Sequence, residues 1–174
     1  MEDIKKVTKI WASWNSDKIE DWLESMEAQG WQLVKIKYHG YRMHFKKGVP
    51  RKVRYCVDFQ GKKDKAYEAL CLEAGWKCEL SASGWYIWSM LYTTERPAIY
   101  TDVDSLIDRN KRLIATLSVA MTAQIPILMI TLNNRSSRYT FMVLHALVFG
   151  LLFYGIVQLN KKNRKLRDRS EYLK

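Results

Sequence analysis

A chain of 174 residues with 48% hydrophobic and 13% aromatic content carries too much apolar matter to stay disordered. Its net charge of +11 is uneven: residues 1–110 hold 18 basic and 16 acidic side chains, whereas residues 111–174 hold 11 and 2. The near-balance of the first part argues against direct nucleic-acid binding, and Cys56, Cys71 and Cys78, with no CxxC spacing, indicate neither a disulfide framework nor a zinc site.

The opening stretch MEDIKKVTKIWASW lacks the continuous apolar region of a secretory signal, so membrane insertion is expected to rest on later segments. Within it, residues 7–12 alternate as a first strand. Asp17 with Glu20 three residues on, or Ser16, starts a helix whose apolar face is Ile19, Trp22, Leu23 and Met26. Gly30 stops that helix and Trp31 opens a strand with Val34, Ile36 and Tyr38 on one face. His39-Gly40 turns the chain into a third strand, in which Tyr41, Met43 and Phe45 alternate with basic residues and His44. The pattern then recurs. Val53 to Phe59 is a strand, and Tyr67, Leu70, Cys71 and Ala74 mark a helix stopped by Gly75. Trp76 opens the next strand, and Ser83-Gly84 turns into a last one from Trp85 to Tyr92. The helix ends EAQGW (Glu27 to Trp31) and EAGW (Glu73 to Trp76) are near-identical, which marks an internal duplication. The expected fold is α+β, with duplicated strand–helix–strand–strand units forming one antiparallel sheet, both helices on one face, over residues 1–100.

Residues 101–112 read as a juxtamembrane helix, with Thr101 to Asp104 resembling a capping box. It can run unbroken into the first of two uncharged runs, Leu113 to Leu132 and Phe141 to Leu159, with Pro126 as a kink. Each run has the roughly 20 residues needed to cross a hydrocarbon core, so residues 113–159 read as a transmembrane helical hairpin. Residues 160–174 form a basic tail. Arg109, Lys111 and Arg112 before the hairpin, with Lys161, Lys162, Arg164, Lys165, Arg167 and Arg169 after it, outnumber Arg135 and Arg138 in the turn. The expectation is a multi-pass cell-membrane protein with both termini cytoplasmic, the six tail residues facing anionic lipid.

The segments DWLESMEAQGWQL (Asp21 to Leu33), RYCVDF (Arg54 to Phe59), LEAGW (Leu72 to Trp76) and IYTDVDSLIDRNKR (Ile99 to Arg112) together resemble the bacterial domain of unknown function 2812 over roughly residues 5–112. The resemblance implies a protein found mainly in Gram-positive bacteria, commonly with C-terminal membrane spans and often encoded beside PadR-like transcriptional regulators. The family has no established enzymatic activity to carry over, and the resemblance implies a membrane-anchored regulatory or accessory role. A genomic neighbour is only an associational link to a physical partner.

Among candidate functional residues, Trp31 and Trp76 read as packing below the helix ends. Trp14, Tyr41, Trp85 and Trp88 are less constrained and could line an apolar groove for a peptide, lipid or partner helix. His39 and His44 read as surface residues, and Asp58, Asp102 and Asp104 as capping or ion-pairing groups. No phosphate-cradling loop, nucleophile elbow or HExxH motif is present, so neither catalysis nor a cofactor or metal is expected. Gln124 and His145 within the spans should find partners across the helix interface, where Thr116, Ser118, Thr122, Gly150 and Gly155 allow close packing. The leading expectation is a non-enzymatic, membrane-anchored regulatory adaptor that binds a protein partner. The runner-up is an accessory subunit of a transport or export complex, for which two spans per chain require a larger assembly or homo-oligomer. An enzyme acting on lipid or envelope precursors ranks third.

Overall fold

A computed structural model describes residues 4–99, 103–133 and 138–171, and the chain divides into two units at residues 101/102. The first unit contains β1 (Ile4–Thr8), α1 (Ser16–Ala28), β2 (Trp31–Lys37) and β3 (Arg42–Lys47), then β4 (Val53–Phe59), α2 (Lys65–Glu73), β5 (Lys77–Ala82) and β6 (Trp85–Leu91). Each half builds a three-stranded antiparallel sheet in the same relative order, β1-β3-β2 and β4-β6-β5. Both halves also break register at matching places, between Leu33 and Lys35 and between Cys78 and Leu80, in the strands opened by Trp31 and preceded by Trp76. Gly30 (φ +79°) and Gly75 (φ +87°) end the two helices in the left-handed region that glycine adopts without steric cost. These parallels support the internal repeat.

The two halves do not merge into the single six-stranded sheet expected, nor do the helices share one face. Ile19, Leu23 and Met26 of α1 pack with Leu33, Ile36, Met43 and Phe45 of the first sheet and with Val53, Tyr55, Val57 and Ile87 of the second. Cys71 of α2 instead packs with Cys56, Tyr86 and Trp88, which project from the opposite face of the second sheet. The second sheet is therefore covered on both faces, α1 on one and α2 on the other.

The reason lies in three carboxylates on α1, at i, i+4 and i+7. β4 is an edge strand, and an edge strand presents unpaired backbone groups that would template a further strand. Here Glu20 accepts from the Val57 N–H (3.0 Å) and Glu24 from the Tyr55 N–H (3.2 Å). Glu27 accepts from the Leu33 N–H (2.9 Å) on β2, the edge of the other sheet. The helix thus occupies edges along which the sheets could otherwise have joined. Arginines on and just before β4 neutralise the carboxylates: Arg54 bridges Glu20 (2.9 Å) and Glu24 (2.6 Å), and Arg51 holds Glu27 (2.6 Å). Tyr55 Oη also donates to Glu27 (2.8 Å), and burial first, then the Glu27 charge, pushes its phenol above the ordinary range so that it remains a donor. Glu27 is fully buried with four hydrogen bonds, the condition under which a buried charge is tolerated.

Local expectations need four adjustments. The Asp17/Glu20 capping arrangement does not form: Asn15 precedes α1 without a side-chain cap, and Glu20 is committed to β4. Leu23 and Ile19 are buried on α1, whereas Trp22 is half-buried and meets the edge of Phe45 at 5.7 Å. On β2 the bulge at Val34 inverts the phase, so Leu33 and Ile36 point inward while Val34 is exposed. On α2 Leu70 is also exposed, and the helix start is held by Asp64, which accepts from the N–H groups of Ala66 and Tyr67.

The second unit is a helical hairpin, α3 (Val103–Asn133) and α4 (Arg138–Glu171), with Pro126 inside α3. The capping box at Thr101–Asp102 and most of the connecting turn lie outside the described residues. Val103–Leu132 and Tyr139–Arg169 are long and apolar enough to cross a membrane, and their apolar windows are only 6% buried. Core helices of a soluble protein would be mostly buried, so these faces suit a membrane anchor. The basic tail continues α4 as helix to Glu171 rather than leaving it, and Asn110 donates to Asn163 (2.7 Å) in a buried contact between α3 and α4.

Replacing Glu27 with Ala would strand the Leu33 N–H, the Tyr55 hydroxyl and the Arg51 guanidinium together. We expect a loss of about 3–5 kcal/mol, the usual cost of removing one partner from a buried pair. Urea unfolding followed by tryptophan fluorescence measures it, and all seven Trp lie in the first unit. An unchanged midpoint would contradict the ladder.

Candidate functional site

Between β2 and β3 the residues Tyr38 (φ +52°), His39 (φ +55°) and Gly40 (φ +101°) all take left-handed conformations. Gly40 adopts this conformation without steric cost, and it lies in contact range of Leu80 and Trp11. For the two non-glycine residues it stores strain of order 1–3 kcal/mol each, which persists only where surrounding contacts fix the turn. Those contacts come from the strand-exit segment after β1: Lys9 N–H donates to the Tyr41 carbonyl (2.8 Å) and Trp11 Nε1 to the Gly40 carbonyl (3.2 Å). Trp11 then meets Trp85 edge-on at 5.4 Å, and Trp85 packs on Phe59 at 4.8 Å.

The result is an aromatic base of Trp11, Trp85 and Phe59 beside a turn that presents large apolar groups to solvent. Ile10 is 85% exposed, Tyr38 66% and Tyr41 43%. Tyrosines on a fixed turn present contact area with few rotors to immobilise on binding. Of the four aromatic residues singled out by sequence, the structure brings Tyr41 and Trp85 to this end. Trp14 is half-buried in the short 3-10 turn Ser13–Asn15 that leads into α1. Trp88 is fully buried, stacked on Tyr86 at 5.7 Å under α2, so it belongs to the core and lines no groove. Ile10, Trp11 and Tyr38 were not anticipated. The signal was a Tyr-His-Gly-Tyr turn, too long in aromatics for an ordinary hairpin.

Residues 15–122 match the family described as Protein of unknown function (DUF2812). The chain belongs to that family. No curated protein and no solved structure matches it. The matched stretch of this DUF2812 protein begins at the turn before α1 and ends inside α3, so it contains the carboxylate ladder, the strained turn and the start of the first apolar helix. β1 and α4 lie outside it.

Cys56, Cys71 and Cys78 of this DUF2812 chain are not joined in disulfides, and burial raises the Cys71 and Cys78 thiols, which keeps them protonated near neutrality. Among the described residues no group of three or more His, Cys, Asp or Glu could hold a metal ion. Asp58 is fully buried and accepts from the Phe59 N–H and from Gln60. In the hairpin, His145 Nδ1 lies 3.0 Å from Gln124 Oε1, so the two polar span residues meet each other. Of the tail residues, Lys161, Arg164, Lys165, Arg167 and Arg169 are exposed and Lys162 is half-buried; Arg164 and Arg167 share a groove with Lys111 and Asp168.

His39 is exposed, but His44 is not a plain surface residue. Its Nε2 is buried without a hydrogen-bond partner. Burial first, then the charges of Lys37, Lys6, Arg42 and Lys35, hold its pKa below the usual 6.5. The unfolded chain therefore takes up this proton before the folded one does, and stability is lost as pH falls through about 6.5. The urea midpoint should decline from pH 7 toward pH 5.5 in the native chain and stay flatter in His44→Gln, whereas equal slopes would show that His44 is not the group responsible.

Proposed function

We propose that this chain is a non-enzymatic regulatory adaptor, anchored in the cell membrane by the α3–α4 hairpin, whose α+β unit binds a protein partner. The observation that carries the reading is the exposed Ile10–Tyr38–Tyr41 surface on a strained turn, in a unit separate from two apolar helices. Strain kept at an exposed aromatic turn costs stability, and a binding role accounts for its retention. The excess of basic residues flanking the hairpin favours both termini in the cytoplasm. A cytosolic transcriptional regulator of the PadR-like class is the first partner to test, on the strength of the family resemblance alone.

The accessory-subunit reading would place recognition on the largely exposed faces of α3 and α4 instead. The two readings separate by variant and by fragment. Replacing Tyr38 and Tyr41 together with Ala should weaken capture of the regulator at least about tenfold, as expected for aromatic hot spots, while leaving the fluorescence-monitored unfolding transition in place. Binding is measured with the purified regulator and the full chain in detergent. Undiminished capture by the double variant, or full capture by residues 102–174 alone, would overturn the adaptor reading.

A further inference from the structure

The first sheet has one face turned to the core and one turned away. The register of its three strands places the outward residues in rows: Lys37, Arg42 and Thr8; Lys35, His44 and Lys6; Gln32, Lys46 and Ile4. Five of these nine positions are Lys or Arg, all exposed, and none is acidic. Among the described residues none of the five forms an ion pair. Like charges directly opposite on neighbouring strands destabilise a sheet. Lys37 opposite Arg42 is such a pair, and the Lys6–His44–Lys35 row avoids a third charge only while His44 stays neutral. The low-charge total of residues 1–110 conceals this segregation, because Glu20, Glu24 and Glu27 are spent on strand edges and on Arg51, Arg54 and Arg96.

We propose that this face docks on the anionic headgroups of the membrane in which the chain is anchored. Rows spaced about 7 Å along the strands and about 5 Å across them form a flat cationic patch suited to a surface of phosphates. Ile4 and the bulged Val34, both half-exposed, add apolar contact near its margin. A membrane is favoured over other polyanions because the proposal rests on the anchor reading: a tethered unit meets headgroups at high effective concentration without a separate encounter.

The test uses the full chain in nanodiscs of phosphatidylcholine, with or without one-third phosphatidylglycerol, and lysine acylation read by mass spectrometry. Lys6, Lys35, Lys37 and Lys46 should react roughly fivefold or more slowly in the anionic discs, and raised salt should restore their rates. Lys62 and Lys63, which lie in the loop after β4, should react alike in both. The variant Lys35→Glu with Lys46→Glu should release the protection of Lys6 and Lys37. Equal rates in the two discs, or protection by added duplex DNA but not by phosphatidylglycerol, would overturn the docking proposal and leave the anchor intact. A chain that fails to co-purify with either disc would overturn both.

Discussion

Three glutamates on one helix face determine how this domain is assembled. A carboxylate can accept several hydrogen bonds, and Glu20, Glu24 and Glu27 use that capacity on the backbone N–H groups of Val57, Tyr55 and Leu33. Those groups belong to the edges of two different sheets. One helix therefore performs what a further strand would perform in a continuous sheet, and it does so for both halves of a duplicated chain. Arg51 and Arg54 make the arrangement tolerable by returning charge to carboxylates that are largely removed from water. Because α1 serves the second sheet as well as its own, the two repeats cannot be independent copies side by side, and α2 is left to cover the other face.

The same commitment shapes the surface. Acidic groups drawn inward cannot neutralise the lysines and arginines outside, so a unit of nearly balanced composition presents one strongly cationic sheet face. At another place the chain holds Tyr38 and His39 in left-handed conformations through Trp11 and the Lys9 amide. On the proposed reading, the cationic face would serve to meet a membrane and the strained aromatic turn a protein. The hairpin itself is braced by polar pairs, Asn110 with Asn163 and Gln124 with His145, which fix the facing sides of α3 and α4.

Much of this was legible in the sequence because it depends on local rules. The apolar runs have the length of a membrane crossing, and Gly30 and Gly75 end helices before tryptophan-marked strands. The Gln124–His145 contact follows from the cost of leaving a polar group alone among apolar neighbours. What escaped depends on tertiary context. Glu20, Glu24 and Glu27 have the spacing of a solvated stripe, and only the unpaired amides of β4 and β2 reveal their role. Alternation misplaced Val34 because a bulge shifts the phase by one residue. It could not place Trp88 at all, since β6 is buried on both faces and alternation there carries no information.

The central claim, that α1 carboxylates close the sheet edges, is tested most directly by amide hydrogen exchange in the full chain in detergent. The Leu33, Tyr55 and Val57 amides should exchange within about tenfold of the ladder-bonded amides of β6, since releasing them requires opening the fold. Exchange at the rate of open edge-strand amides would contradict it.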